Sequence, residues 1–104
     1  MANPMRGEVA VTLDGHPHAA RLTLGALAEL EAVLGEADLQ GVVARMEAGR
    51  ISGREVLAVL TAGLRGGGWQ GQASDLVDCD IAGGPVAAAQ AAARLLALAF
   101  RMPG

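Results

Sequence analysis

The spacing of apolar residues changes at Leu24, and this change constrains the fold more than any other feature. Before it the apolar residues alternate, with Val9, Val11 and Leu13 on one face of the segment 8–13. A period of two is typical of a strand that is buried on one face. After Leu24 the apolar residues recur every three or four positions, which is the period of an amphipathic helix. The chain therefore predicts a β-rich start followed by helices.

The turn Asp14-Gly15-His16-Pro17 separates two alternating segments. An Asp-Gly pair flanked in this way is a strong hairpin signal, because glycine adopts positive φ without a Cβ penalty. The second predicted strand runs from His18 to Leu24. Because an isolated two-stranded hairpin is marginally stable in water, we expect its apolar face to lie on helices.

The remainder of the chain predicts four to five short helices. Ser52-Gly53-Arg54-Glu55 is a capping box, and Pro85 suits the first turn of the last helix because its missing N–H needs no acceptor. The segment 66–73, which opens with three glycines, is interpreted as a flexible loop or linker. We predict an α+β, mainly α, fold in which an N-terminal hairpin precedes a helical bundle, all in one domain over residues 1–104. The predicted helices run from Leu24 to a stop at Gly35, from Asp38 to Ala48, from Ser52 to Gly66, from Ser74 to Ile81, and from Pro85 to about Arg101. In the first of these helices, helical spacing predicts an apolar stripe along one face, formed by Leu24, Leu27, Leu30, Val33 and Leu34.

Composition limits the core and the classes of partner. The chain is 52% hydrophobic, but alanine is its most frequent residue and it has one Phe, one Trp and no Tyr. Its eight basic residues, all arginines, are scattered singly in a chain of net charge −3, which argues against nucleic-acid binding and a polybasic membrane patch. The most apolar window, 86–100, contains Gln90 and Arg94 and is shorter than the roughly 20 residues that cross a bilayer. With one Cys and no signal peptide, we expect a cytoplasmic protein.

No residue set predicts catalysis, a metal site or a cofactor. Cys79 would need a histidine to act as a nucleophile, but both histidines lie far away, in or beside the hairpin turn. His16 and His18 have no third ligand nearby in sequence. We therefore expect that the protein is not an enzyme and that it binds neither a metal ion nor a cofactor.

Two segments are candidates for binding a partner. Trp69 stands alone in a glycine-rich segment, and it either folds back onto the core or serves as an exposed anchor, since Trp is enriched in interface hot spots. In the last helix, Leu95, Leu98 and Phe100 either pack inside the domain or form an overhanging partner-binding stripe.

Two runs of sequence, Arg6–Val9 leading into Leu13–Gly15 and then Arg21–Glu31, resemble the gene transfer agent tail protein family. These are phage-derived proteins of alphaproteobacteria, grouped with the phage tail assembly chaperones. The segments 52–55 and 62–68 and the Ala-rich closing helix are similar to the same family. The resemblance covers about Arg6 to Phe100 and departs between Trp69 and Gly84, so it implies no role for Trp69.

The resemblance implies a small non-enzymatic protein of a phage-like tail gene cluster. Chaperones of this class keep the long tape-measure protein soluble until tube subunits polymerise around it. We therefore expect a tail assembly chaperone of a gene transfer agent or prophage that binds a tape-measure-like tail protein, with self-association as a further expectation. Two alternatives stay open: a structural minor tail or tube component retained in the particle, and an unrelated protein-binding adaptor.

Overall fold

A computed structural model describes residues 2–35 and 39–100, which form an N-terminal hairpin and five helices. This arrangement confirms the predicted α+β, mainly α, class. A 3₁₀ turn, Pro4–Arg6, precedes the first strand. The strands are β1 (Glu8–Leu13) and β2 (His16–Arg21), and the helices are α1 (Leu24–Leu34), α2 (Leu39–Glu47), α3 (Gly53–Gly66), α4 (Ala73–Val77) and α5 (Gly84–Ala99).

The hairpin has the predicted turn. Asp14 and Gly15 both adopt positive φ, 49° and 81°, as a two-residue type I′ connection requires. This turn sets an antiparallel register in which Leu13 lies opposite His16. Val9, Val11 and Leu13 are buried, so the alternating pattern of β1 is confirmed. The strand β2 begins at His16, two residues before its predicted start at His18, so His16 and Pro17 belong to the strand and the turn is confined to Asp14 and Gly15. It ends at Arg21, earlier than the predicted end at Leu24.

The outer edge of β1 is covered at both ends. Near the turn, Leu13 forms an isolated bridge with Ile81, and the Ala82 amide donates to the Thr12 carbonyl at 3.1 Å. At the start of β1, the Glu8 amide donates to the Asn3 carbonyl at 3.1 Å. The prediction of a helix from Ser74 to Ile81 is therefore wrong in its extent: α4 ends at Val77, because the chain then hydrogen-bonds to the strand.

The predicted stripe of α1 is confirmed in part, because Leu30 is buried and Leu27 and Leu34 are half-buried against the core. By contrast, Leu24 and Val33 of that stripe are 86% and 55% exposed, and Ala26, which lies outside it, is buried. The small side chain of Ala26 faces the glycine-rich end of α3, which allows the two helices to approach closely. Thr23 caps the start of α1 by accepting a hydrogen bond from the Ala26 amide at 3.1 Å. The predicted stop is confirmed, because Gly35 adopts a left-handed conformation with φ 67°.

The helix α3 is the central element of the core, with every residue from Ala58 to Leu64 buried. Its predicted capping box is confirmed: the Glu55 amide donates to Ser52 Oγ, and the Ser52 amide donates to Glu55 Oε1, each at 3.1 Å. The largest fully buried side chains are those of Leu30, Val42, Val59, Leu60, Leu64, Leu95 and Leu96.

Two of the three glycines at the end of α3 have a packing role that their interpretation as a linker missed. A Cβ at Gly66 would collide with the carbonyl oxygen of Arg21, and one at Gly67 would collide with that of Ala19. The backbone of α3 therefore lies directly on β2. Only glycine permits this approach, because any side chain would displace the strand.

The helices α2 and α5 agree with their predicted patterns where the structure describes them. Leu39, Val42 and Met46 of α2 are buried, while the predicted start at Asp38 lies outside the described residues. Pro85 occupies the first turn of α5, as predicted. The predicted end of that helix at Arg101 is also outside the described range. None of the described helices is both long enough and apolar enough to cross a membrane.

Candidate protein-binding site

Trp69 is half-buried and packs against the core. Its amide donates to the Leu64 carbonyl at 2.9 Å, and the Gly68 amide donates to the Arg65 carbonyl at 3.1 Å. With Gly68 at φ 106°, these two bonds form a Schellman motif that ends α3 and places an apolar residue over the last helical turns. The Trp69 ring also lies over Gly71, where a Cβ would collide with it. Its predicted role in partner binding stays a prediction.

The structure separates the three predicted residues of the last helix. Leu95 is 1% exposed and faces α3, where a Cβ at Gly63 would lie 2.7 Å from its Cδ1. It therefore belongs to the core and is not available at the surface. Leu98 and Phe100 are half-buried at the end of α5, so the predicted partner-binding stripe is reduced to these two residues.

An open groove of about 320 Å³ lies between the first halves of α3 and α5. Leu76 of α4 and Ile81 complete its apolar lining. We call this surface the apolar groove, and define it by Ile51, Val56, Leu57, Ile81, Pro85 and Ala88. A groove of this kind, lined by aliphatic side chains, suits an apolar side chain or an apolar helix face of another protein.

A smaller cavity of about 200 Å³ adjoins the apolar groove and shares Ile81, Pro85 and Ala88 with it. This cavity brings Cys79 and Asp80 to the rim of the groove. Burial, together with the neighbouring Asp14 carboxylate, raises the pKa of the Cys79 thiol above its usual value. The thiol also donates to the Asp75 carbonyl at 3.2 Å, so it remains protonated and is a poor nucleophile at neutral pH.

A second opening, of about 360 Å³, lies where the N-terminal turn meets the end of α5. We call it the basic cleft, and define it by Met5, Arg6, Arg21, Leu22, Leu98 and Ala99. Within the described part of the chain, neither of its arginines forms an ion pair with a carboxylate. The cleft therefore presents unpaired positive charge beside apolar side chains.

Sequence reasoning missed the basic cleft because it treated the arginines as isolated. The hairpin register places Glu8 opposite Arg21, so the start of β1 lies beside the end of β2. Counting outward from the Asp14-Gly15 turn brings Arg6 and Arg21 to the same end of the hairpin. The proximity of these two arginines could therefore have been predicted from the sequence once the turn was assigned.

Neither surface contains a set of residues suited to bond-making chemistry. Over residues 2–35 and 39–100, no group of three or more His, Cys, Asp or Glu side chains is arranged to hold a metal ion. His16 is exposed beside the turn, where its Nδ1 lies 3.1 Å from the Asp14 carbonyl oxygen.

Residues 6–102 match the family described as "Phage tail tube protein, GTA-gp10". The chain belongs to this family. The match confirms the resemblance to a gene transfer agent tail family and continues through the segment 69–84, where the resemblance had departed. No curated protein and no solved structure matches the chain.

Membership of the GTA-gp10 family identifies a component of a phage-type tail. The matched range includes the whole apolar groove and all of the basic cleft except Met5. Both surfaces are therefore built from residues within the family match. Membership of a phage tail family suggests interaction with other tail proteins.

Proposed function

We propose that this chain is a structural component of the tail tube of a gene transfer agent or related phage-like particle. It is non-enzymatic, consists of a single unit over residues 1–104, and remains in the finished tail. The family match over residues 6–102 carries this proposal, because the family is described as a tail tube protein.

Two features of the surface support a subunit role. The apolar groove and the basic cleft lie toward opposite ends of α5, since Ala88 and Leu98 are separated by about 15 Å along the helix axis. They differ in lining and in charge. A subunit with two unlike contact surfaces can bind one neighbour through each, as a repeating tube requires. Its partners are accordingly other tail proteins, met in the cytoplasm during assembly.

The test is to measure the protein in purified particles by quantitative mass spectrometry. A tube component is expected at a fixed copy number relative to the other tail proteins, in every preparation and after further gradient purification. A protein that is abundant in the producing cells but absent from the particles would contradict this role.

A tail assembly chaperone is the second candidate, and the open apolar groove favours it. An aliphatic groove can hold the apolar stripe of a tape-measure-like helix reversibly, and weak sites along a long partner add up through effective concentration. In this case the protein would co-purify from cells with the tape-measure-like protein and leave before the particle is complete. The particle measurement therefore separates the two candidates, because only the structural component is retained.

A further inference from the structure

The two surfaces carry opposite charges. The sequence between Arg65 and Arg94 contains no basic residue, but it contains three aspartates, of which Asp75 lies in α4 and Asp78 and Asp80 follow it. Among the described residues, no donor contacts the carboxylates of Asp78 and Asp80. Asp80 lines the cavity that continues the apolar groove, so this rim of the groove is acidic. The basic cleft carries Arg6 and Arg21.

The N-terminal turn contributes an exposed apolar side chain to the basic cleft. Met5 is 83% exposed, although its side chain is large and apolar. The turn is held by Asn3, whose Oδ1 accepts from the Met5 amide at 3.0 Å and whose carbonyl accepts from the Arg6 amide at 2.9 Å. Met5 and Arg6 are therefore displayed together by a turn that is anchored to β1.

We propose that Met5 and Arg6 of one copy dock onto the apolar groove of a second copy. Met5 lies in the groove, and the Arg6 guanidinium faces the Asp80 carboxylate at its rim. The unbranched thioether side chain of Met adapts to an irregular apolar surface. A free carboxylate beside the groove complements a free guanidinium beside the methionine, and this match selects a second copy of the chain as the occupant.

The position of the other arginines fixes the direction of docking. Arg50 is exposed and directly precedes Ile51, which lines the groove ahead of α3. Arg54 is directed away, since it donates to the Val33 carbonyl of α1 at 3.4 Å. An incoming arginine is therefore repelled from the Arg50 side and drawn to the Asp80 side.

This contact joins two unlike surfaces, so a bound pair leaves the groove of one copy and the Met5–Arg6 turn of the other copy free. Such head-to-tail contacts generate a closed ring or an open filament. The inference rests on the proposed function and deepens it, because it supplies the contact by which a tube component repeats.

The test measures self-association of the full chain by sedimentation velocity and light scattering, over a concentration series at low and high salt. The wild type is expected to associate with increasing concentration, and more weakly at high salt. Met5→Gln and Arg6→Glu are each expected to weaken association by roughly ten-fold or more. The matched controls are Leu24→Gln, at another exposed apolar residue, and Arg94→Glu, at an exposed arginine of α5. Both controls are expected to associate like the wild type.

A charge exchange makes the test specific. Asp80→Arg alone should weaken association, and Arg6→Glu combined with Asp80→Arg should restore it to within roughly three-fold of the wild type. Circular dichroism of each variant verifies that it is folded. A wild type that stays monomeric at the highest concentration overturns the inference. The inference is also overturned if Met5→Gln and Arg6→Glu weaken association no more than the controls do, or if the double variant does not regain association.

Failure of this inference can be distinguished from failure of the proposed function. A protein that is monomeric in solution but present in particles at fixed copy number remains a tail component without this contact. A protein that associates through Met5 and Arg6 but is absent from particles retains the contact and loses the structural role.

Discussion

Asp14 and Asp80 exchange two hydrogen bonds, although they are 66 positions apart in the sequence. The Asp80 amide donates to Asp14 Oδ1 at 2.8 Å, and the Asp14 amide donates to the Asp80 carbonyl oxygen, also at 2.8 Å. These bonds tie the tip of the hairpin to the segment between α4 and α5. They hold Asp80 at the rim of the apolar groove and leave its carboxylate free.

Replacement of Asp14 tests the strength of this connection. Asp14→Ala removes the acceptor for the Asp80 amide and places alanine at φ 49°, where its Cβ is strained. The two effects together predict a loss of about 2 kcal/mol in the free energy of unfolding, measured by urea denaturation. Asp14→Asn is the control, because Asn keeps an acceptor oxygen and tolerates the left-handed conformation. Equal unfolding midpoints for the two variants would show that the connection contributes nothing.

The approach of α3 to β2 predicts a strong effect at Gly67. Gly67→Ala places a Cβ on the Ala19 carbonyl oxygen, so the helix and the strand must separate. We expect a loss of about 1–3 kcal/mol, or more if the hairpin detaches. Gly53→Ala is the matched control, since a Cβ there meets no atom within 4 Å and alanine favours the helix. Thermal unfolding of both variants should move their midpoints in opposite directions; a neutral Gly67→Ala would refute the close approach.

Glu55 predicts a defined pH dependence of stability. A hydrogen bond from Arg45 at 2.7 Å, joined by bonds from Ser52, lowers the pKa of Glu55 below its usual value of 4.5 against the opposing effect of burial. Because the unfolded state then binds the proton more readily, this stabilisation is present above pH 4.5 and is lost as the pH falls through the lower, folded-state pKa.

Glu55→Gln is the variant that isolates this contribution. It should reduce the free energy of unfolding by about 1 kcal/mol at neutral pH, because glutamine has nearly the size of glutamate but lacks its negative charge. As the pH falls below 4.5, the urea unfolding curves of variant and wild type should approach each other, since the wild-type carboxylate is protonated as the pH passes through its lowered pKa. If the difference in the free energy of unfolding between variant and wild type stays constant over this pH range, the stabilisation comes from something other than the carboxylate charge.

Trp69 can be tested without knowing a partner. If its ring covers the end of α3, Trp69→Ala should lower the free energy of unfolding of the isolated protein by about 1–3 kcal/mol, less than for a fully buried Trp. Val77→Ala, at a residue that is 65% exposed, should change it by less than about 0.5 kcal/mol. A Trp69→Ala variant as stable as Val77→Ala would instead assign the ring to partner binding alone.

The features that the sequence predicted correctly are local. The Asp14-Gly15 turn, the capping box of Ser52 and Glu55, and the stop at Gly35 each depend on residues within a few positions of one another. Backbone sterics and short-range hydrogen bonds decide such features, so they are visible in a single sequence.

The features that the sequence missed depend on distant partners. The end of α4 at Val77 follows from hydrogen bonds between β1 and the segment 80–82, and no local sequence pattern predicts these bonds. The exposure of Leu24 follows from the way α1 docks on α3 through Ala26. Helical periodicity identifies an apolar face, but it does not say which part of that face another element will cover.

The sequence by itself determined the order of the elements, the hairpin turn, the helix caps and the tail-protein family. The tertiary structure alone decided that Leu95 is core, that the glycines of α3 accommodate β2, and that Asp80 and Arg6 mark two openings of opposite charge. The physical reason is the range of the interactions. Turns and caps are set by neighbouring residues, whereas burial and surface charge arise only when segments far apart in the chain pack together.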